Sequence, residues 1–155
     1  MIVDKELEDK IVATLAAALG GKYTVVGSWG VSPDGTVKGE ETPADKVAIA
    51  VAVGAPQFDK YLAPSCSMPV ALSVAIRREV APTAAELETV MSPISDFLMD
   101  LQLDFEAASA LSTTHFSSDG AELNGGPPPT FSEATNIWRI TRSFTIRGVP
   151  AKSTH

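Results

Sequence analysis

The segment 47–53 (VAIAVAV) restricts the fold of this chain more than any other stretch. Side chains alternate between the two faces of a β-strand, so one face carries valine and isoleucine and the other carries only alanine. Because both faces are apolar, we expect this strand to lie inside a sheet that is covered on both sides. The small alanine side chains would let a helix or another subunit approach closely.

Helix and strand patterns follow one another along the rest of the chain. Helical spacing of apolar residues predicts a helix over 4–19, closed at Gly20 because glycine reaches the left-handed conformation of a last turn. Strands are predicted at 23–29, 69–80 and 136–147, and the segment 105–118 is ambiguous but allows a strand ending at Phe116. Loop and turn residues mark the remaining segments, namely 30–46, 54–68, Asp119-Gly120 and 124–130.

A second helix is predicted to begin at Thr83. Thr83 and Glu86 match a capping box, in which each side chain satisfies a backbone donor of the first turn. An apolar stripe with helical spacing then continues through Pro93. This pattern predicts either one helix kinked at Pro93 or two abutting helices with Ser92 as the second cap.

The order of these elements predicts an α+β fold. Strands that follow each other with short links favour a mostly antiparallel sheet, here of four to five strands packed by two helices. We expect residues 1–155 to form a single domain, because this length suits one hydrophobic core. Residues 148–155 are expected to form a loose C-terminal tail.

Charge is divided unevenly along the chain, whose net charge is −7. Residues 81–133 contain nine acidic residues and no lysine or arginine. Residues 134–155 contain no acid, and their basic residues are Arg139, Arg142, Arg147 and Lys152. A chain polarised in this way either neutralises itself internally or offers opposite charges to neighbouring copies.

Composition argues against several classes of function. A net negative charge disfavours specific nucleic-acid binding, which needs a basic face. No apolar run approaches the roughly 20 residues of a membrane span, and the charged N-terminal segment does not resemble a signal peptide, so we expect no membrane association and a cytoplasmic location where the chain is made. A single cysteine excludes an internal disulfide.

Cysteine chemistry is weakly indicated. A cysteine nucleophile needs a nearby base, and the chain offers Cys66 only His115 and the terminal His155. Cys66 lies between serines in a predicted loop, without a recognisable nucleophile context. We therefore expect an ordinary thiol, no catalytic residue and no cofactor.

Asp96, Asp100 and Asp104 stand four residues apart on the polar side of the second helix. A metal site would need further ligands, and no partner motif accompanies them. Like charges at this spacing repel each other, and acids near a helix C-terminus oppose the helix dipole. The row is therefore either a solvated face or a contact with a basic surface of another chain or strand.

Three stretches carry a family resemblance: ELEDKIVATLAAALG, the VAIAVAV strand, and NIWRITRSFTIRGVP after a Gly/Pro-rich loop. Their order resembles that of the tail-terminator and tail-completion proteins of long-tailed bacteriophages. Those are small single-domain proteins that form rings at the head-proximal end of the tail tube. The resemblance implies a structural protein of the virion, present in the host cytoplasm during assembly, that is not an enzyme. Its implied partners are copies of itself and other tail or connector proteins.

A ring is built by a heterologous contact, in which one patch of each subunit meets a different patch of the next. The candidate contacts are therefore the acidic and basic residues named above: Asp96, Asp100, Asp104, Arg139, Arg142 and Arg147. Three alternatives stay open at this point. Arg139 and Arg142 could meet the acidic helix within one fold, the chain could be another protein-binding adaptor, or it could be a small enzyme that uses Cys66 or the aspartates.

Overall fold

The computed structural model of the chain describes residues 3–27, 47–58, 65–77, 83–134 and 136–150. Ten elements occupy these ranges, and they follow the chain in this order: α1 (Val3–Leu19), β1 (Tyr23–Gly27), β2 (Val47–Val53), β3 (Gln57–Phe58), β4 (Cys66–Arg77), α2 (Ala84–Leu103), α3 (Phe105–Ser109), β5 (Phe116–Gly125), β6 (Thr130–Ser132) and β7 (Ile137–Pro150). The predicted loop 30–46 and the ends of two predicted strands (28–29 and 78–80) lie outside the described residues.

The strands form one mixed sheet of seven strands with the order β1-β2-β4-β7-β5. The short strands β3 and β6 add to β4 and β7 respectively. Strands β1 and β2 are parallel, and the other pairings are antiparallel. The predicted α+β class, with a largely antiparallel sheet and two substantial helices, is confirmed, and the sheet has more strands than the four to five expected.

The longest pairing joins β4 to β7, from Cys66 opposite Gly148 to Arg77 opposite Ile137. Residues directly opposite each other share a face of the sheet. One face of this pairing packs under the two long helices and is apolar along its length except at Arg142, which lies opposite Leu72. Its buried residues on these two strands are Met68, Val70, Leu72, Val74, Ile76, Ile140, Phe144 and Ile146.

Helices α1 and α2 cover this face because each presents an apolar stripe at helical spacing. In α1 the stripe is Leu7, Ile11 and Leu15, each with no exposed surface. In α2 it consists of Val90, Met91, Ile94, Leu98 and Leu101. The core therefore lies between one sheet face and the two helices.

The opposite face of the sheet is buried only in part. Ala48, Ala50, Ala75 and Ile137 form a second, smaller buried cluster there. Ala52 on the same face of β2 is exposed. The prediction that β2 is covered on both faces is therefore confirmed at its first two alanines and wrong at the third.

The helix ends follow the sequence signals. Helix α1 stops before Gly20, which adopts a φ of 82°. Thr83 caps α2, and its hydroxyl oxygen accepts a hydrogen bond from the backbone N–H of Glu86 at 3.2 Å. Helix α2 is continuous through Pro93, so the single-helix alternative is the one observed.

One predicted loop region contains regular structure instead. The segment 54–68 contains β3 and the start of β4, so the prediction that Cys66 lies in a loop is wrong. Pro69 has no backbone N–H to donate to a neighbouring strand. It is tolerated inside β4 because the N–H and C=O of a strand residue point to the same side, so only one side of the strand lacks a donor. On that side the carbonyl of Pro69 accepts from the N–H of Gly54 at 2.8 Å, after β2 has ended.

The C-terminal part also differs from the prediction. Phe116 begins β5, whereas the sequence allowed a strand that ends there, and Asp119-Gly120 lies at a bulge within β5 rather than in a turn. Strand β5 also takes in Asn124 and Gly125 of the predicted irregular segment. Residues 148–150, which were expected to belong to a loose tail, form the end of β7 and pair with β5, and residues 151–155 lie outside the described residues.

Candidate interaction surfaces

Three large apolar side chains are exposed together where α2 ends and α3 begins. Leu103 is 73% exposed, Phe105 is 66% exposed and Met99 is 46% exposed. Met99 and Leu103 are four residues apart and therefore neighbours on one side of the helix. Asp96 and Asp100, which are exposed, stand beside them on the adjacent side. We call these five residues the α2-end patch.

The backbone beneath the α2-end patch is held by several hydrogen bonds. The N–H of Asp104 donates to the carbonyl of Asp100 at 2.9 Å and ends α2. The Asp104 carboxylate accepts from the N–H of Glu106 at 2.9 Å and caps α3. The Gln102 side chain accepts from the N–H of Leu123 at 2.9 Å, which ties the helix end to β5. The patch is therefore presented on fixed backbone.

The acidic row has two kinds of member. The Asp104 carboxylate is used within the chain as a helix cap. Among the described residues, no ion pair or side-chain hydrogen bond involves Asp96 or Asp100. These two carboxylates are thus exposed next to apolar side chains.

The arginines of β7 are divided between the two faces of the sheet. Arg139 and Arg147 lie opposite Ala75 and Ser67, on the face away from the helices. Arg142 lies opposite Leu72 on the helix face, and its guanidinium donates to the carbonyls of Thr141 at 2.9 Å and Pro127 at 3.4 Å.

The sheet separates Arg139 and Arg147 from α2, which packs on its other face. The alternative in which Arg139 pairs with the acidic helix inside one fold therefore disagrees with the strand register. Arg142 shares a face with α2 and is bonded to backbone carbonyls.

Arg147 borders a depression on the sheet face away from the helices. This depression has a volume of about 400 Å³ and is lined by Gln57, Phe58, Ser65, Cys66, Ser67, Glu122, Thr145 and Arg147. Phe58 is 61% exposed, and because it lies opposite Cys66 its side chain belongs to the helix side of the sheet and not to the side of Arg147. The Arg147 guanidinium donates to the Glu122 carboxylate at 2.8 Å, and exposed pairs of this kind contribute only about 0–1 kcal/mol. We call this surface the β3–β7 depression.

Cys66 is buried, and His115 lies beside a carboxylate of α1. Cys66 is 4% exposed, and burial together with the negative charge of Asp119 raises the pKa of its thiol. A raised pKa disfavours the thiolate that nucleophilic chemistry needs. His115 lies 3.1 Å from both carboxylate oxygens of Glu6 on α1. His155, the other base considered, lies outside the described residues.

The raised pKa of Cys66 predicts a loss of stability at alkaline pH. The unfolded thiol releases its proton near its ordinary pKa of 9.0, whereas the folded chain retains it to higher pH. The contribution of Cys66 to the free energy of unfolding is therefore fully present below this value, and it falls as the pH rises toward the folded pKa. We expect Cys66→Ala to flatten the fall between about pH 8 and about pH 10 in urea titrations. If the free energy of unfolding falls equally steeply with pH in the wild type and in Cys66→Ala, this assignment is wrong. Tyr23, whose pKa is raised from 10.0 by burial, acts at higher pH.

Neither a metal centre nor a membrane helix is found in the part of the chain that the structure describes. No group of three or more histidine, cysteine or acidic residues there could hold a metal ion. No helix within the same ranges has the length and apolarity to cross a bilayer.

Comparison with known proteins does not assign the chain to a family. A scan of protein-family models and a search of curated proteins both gave no match. We therefore infer function from the surfaces of the molecule and from the order of its elements.

Several surface residues were not singled out from the sequence. Met99 and Leu103 do not belong to the apolar stripe of α2, and that mismatch is the signal that could have identified them. Phe58 gave no such signal, because its exposure depends on how the short strand β3 is placed.

Proposed function

We propose that this protein acts by assembling with copies of itself, as a structural protein of a long-tailed bacteriophage. The observation that carries self-assembly is the α2-end patch. Large apolar side chains that are exposed together and bordered by charges are typical of protein-interaction sites. Aromatic residues and methionine are also enriched at such interfaces.

The placement of the two surfaces supports a ring. The α2-end patch belongs to the helices, and the β3–β7 depression lies on the other face of the sheet. Two different patches on one subunit allow a head-to-tail contact, which closes into a ring when the rotation between neighbours is suitable. This is the type of contact that a tail-terminator ring requires.

The phage assignment rests on the resemblance of three sequence stretches. Those stretches form α1, β2 and β7. The proposed position is the head–tail junction or the end of the tail tube, and the proposed partners are other tail or connector proteins. The location that follows is the virion, with the host cytoplasm during assembly. Capsid, portal and tail genes beside the coding sequence would support this assignment, and a neighbourhood of unrelated metabolic genes would contradict it.

Salt should weaken the assembly if charge pairing contributes to it. At about 1 M salt the Debye length is about 3 Å, so pairs between exposed groups are largely screened. We expect the mean particle mass in sedimentation velocity runs to fall between about 0.05 M and about 1 M sodium chloride. A mass that does not change over this range would indicate an interface without charge pairing.

A further inference from the structure

We infer that the α2-end patch of one copy packs against the exposed side of α1 in the next copy, with the two helices antiparallel. This inference deepens the proposed function and rests on it, because it names the contact through which the copies assemble. In this contact the large apolar side chains of the patch lie on alanines of α1, and an aspartate of the patch meets a lysine just after α1.

The exposed cations that lack a partner among the described side chains lie on α1 and directly after it. Lys10 and Lys22 are exposed, and no ion pair or side-chain hydrogen bond in the described ranges involves either of them. The arginines of β7 are already engaged; for example, Arg142 donates to backbone carbonyls and Arg147 pairs with Glu122. An acidic patch of another copy therefore finds unpaired counter-charges at α1.

Charge also argues against contact between two α2-end patches. That arrangement would bring Asp96 and Asp100 of both copies together, and like charges placed opposite each other across an interface are costly. The segment 81–133 has no lysine or arginine that could separate them. The patch therefore fits a different surface of the neighbouring copy, and α1 carries the opposite charge.

The exposed side of α1 consists largely of alanine. Ala13, Ala16 and Ala17 are exposed, whereas the apolar stripe of this helix is buried against the sheet. Short side chains let a second helix approach closely, so the long side chains of Met99 and Leu103 can reach the surface of α1. Both side chains stay in water in an isolated subunit, and their burial removes apolar area from water.

The spacing of these residues sets the register of the contact. Met99 and Leu103 are four residues apart on α2, and Ala13 and Ala17 are four residues apart on α1. When the helices run antiparallel, Met99 lies on Ala17 and Leu103 lies on Ala13. This direction also places helix ends of opposite partial charge side by side.

The same register brings opposite charges together at both ends of the contact. Asp96 precedes the apolar pair of α2 by about one turn and so extends past the end of α1, where Lys22 is exposed. Lys10 precedes the alanine pair of α1 by about one turn and faces the start of α3, where Glu106 is exposed. The contact is therefore apolar at its centre and charged at its rim, as protein interfaces generally are.

A depression beside Ala13 has room for Phe105, the third apolar side chain of the patch. The depression has a volume of about 450 Å³ and is lined by Glu6, Asp9, Lys10, Ala13 and residues 112–114. The two carboxylates in this lining already have partners, which are His115 and Lys5. In the proposed register Phe105 lies just beyond Ala13 and can enter this depression.

The two surfaces belong to different ends of the strand order. Helix α1 contacts β1 and β2, whereas Gln102 ties the end of α2 to β5. Strands β1 and β5 are the first and last in the order β1-β2-β4-β7-β5. The contact is therefore head-to-tail, and a copy that binds through one surface keeps the other surface free for the next copy until a ring closes. The β3–β7 depression stays open to other partners.

The test uses two variants, each of which blocks one side of the contact. Leu103→Glu places a charge in the α2-end patch, and Ala17→Glu places one on the exposed side of α1. Both side chains are exposed, so both variants should unfold thermally like the wild type. By light scattering, each variant alone should have the mass of one subunit. Their equimolar mixture should have the mass of two, because one intact contact remains. Ala84→Glu, the same exchange at an exposed alanine of α2 outside the patch, is the control and should keep the wild-type mass.

Charge exchange gives a second test that does not depend on the apolar side chains. Asp96→Lys and Lys22→Glu should each lower the mean mass at low salt, because each change places like charges opposite each other. The variant carrying both changes should recover the wild-type mass, since the contact then pairs the exchanged charges. A double variant that stays at the lowered mass overturns the proposed register.

The outcomes separate this contact from the proposed function. A monomeric wild type contradicts self-assembly itself. A multimeric wild type whose mass survives Leu103→Glu or Ala17→Glu leaves self-assembly standing and overturns this contact. Monomeric single variants whose mixture stays monomeric also overturn it, since the two surfaces then do not meet.

Discussion

Replacing Phe144 by alanine is expected to lower the free energy of unfolding by about 3–5 kcal/mol. Phe144 is fully buried and lies in β7, which is paired on one side with β4 and on the other with β5. Its ring faces the core beneath the two helices. The paired backbone cannot move inward to fill the space, so the substitution leaves a cavity. Urea denaturation followed by far-UV circular dichroism measures the loss.

The matched control is Phe58→Ala, which removes the same ring from an exposed position on β3. Its free energy of unfolding should stay within about 0.5 kcal/mol of the wild-type value when both are measured as subunits. A loss below about 1 kcal/mol for Phe144→Ala would mean that this ring is not enclosed as the structure shows.

Gly148→Ala is expected to destabilise the fold by about 1–3 kcal/mol or more. Gly148 is paired with both neighbours of β7, opposite Cys66 on β4 and Ser118 on β5. A Cβ atom at this position would clash with the backbone carbonyl of Ser117 and lie 2.7 Å from the ring of Phe116. A carbonyl inside a sheet cannot rotate away as a flexible side chain can, so the strands must separate locally.

Gly120→Ala provides the control for that prediction. An added Cβ at Gly120 would have no atom within 4 Å. We expect its melting temperature to equal or slightly exceed that of the wild type, because alanine reduces the freedom of the unfolded chain. Equal melting temperatures for Gly148→Ala and the wild type would contradict the close approach of β5 to β7.

The parts of the fold that were predictable depend on local patterns. The alternation in β2 and the helical stripes of α1 and α2 are visible within a few residues, and so are the end of α1 at Gly20 and the cap at Thr83. The parallel pairing joins β1, which ends at Gly27, to β2, which begins at Val47, and 19 residues separate the two strands. No local pattern specifies the direction of such a pairing.

The wrong predictions for Asp119-Gly120 and for Gly148 have the same physical cause, which is the pairing of β5 with β7. Asp119-Gly120 has turn chemistry, but β7 supplies a partner on which β5 continues after a bulge. Likewise, Gly148 resembles the start of a tail when read alone, whereas its lack of a side chain is what lets β5 and β7 approach. In both cases tertiary pairing overrides a local preference.

The candidate contacts were predictable only by type of residue. Alternation along β7 correctly places Arg139 and Arg147 on the face opposite Trp138, but the pattern does not say which face the helices cover. The register decides this: it puts Arg147 with Ser67 on the face away from the helices, and Phe58 with Cys66 on the helix side. The row of aspartates was found from spacing, whereas the use of Asp104 as a cap depends on the break between α2 and α3.

We propose that this protein functions by binding copies of itself. Light scattering on the purified wild-type protein, at high protein concentration and low ionic strength, measures the particle mass and so tests this self-assembly without any substitution. We expect a discrete particle whose mass is a whole multiple of the subunit mass. A solitary subunit at every concentration would contradict it.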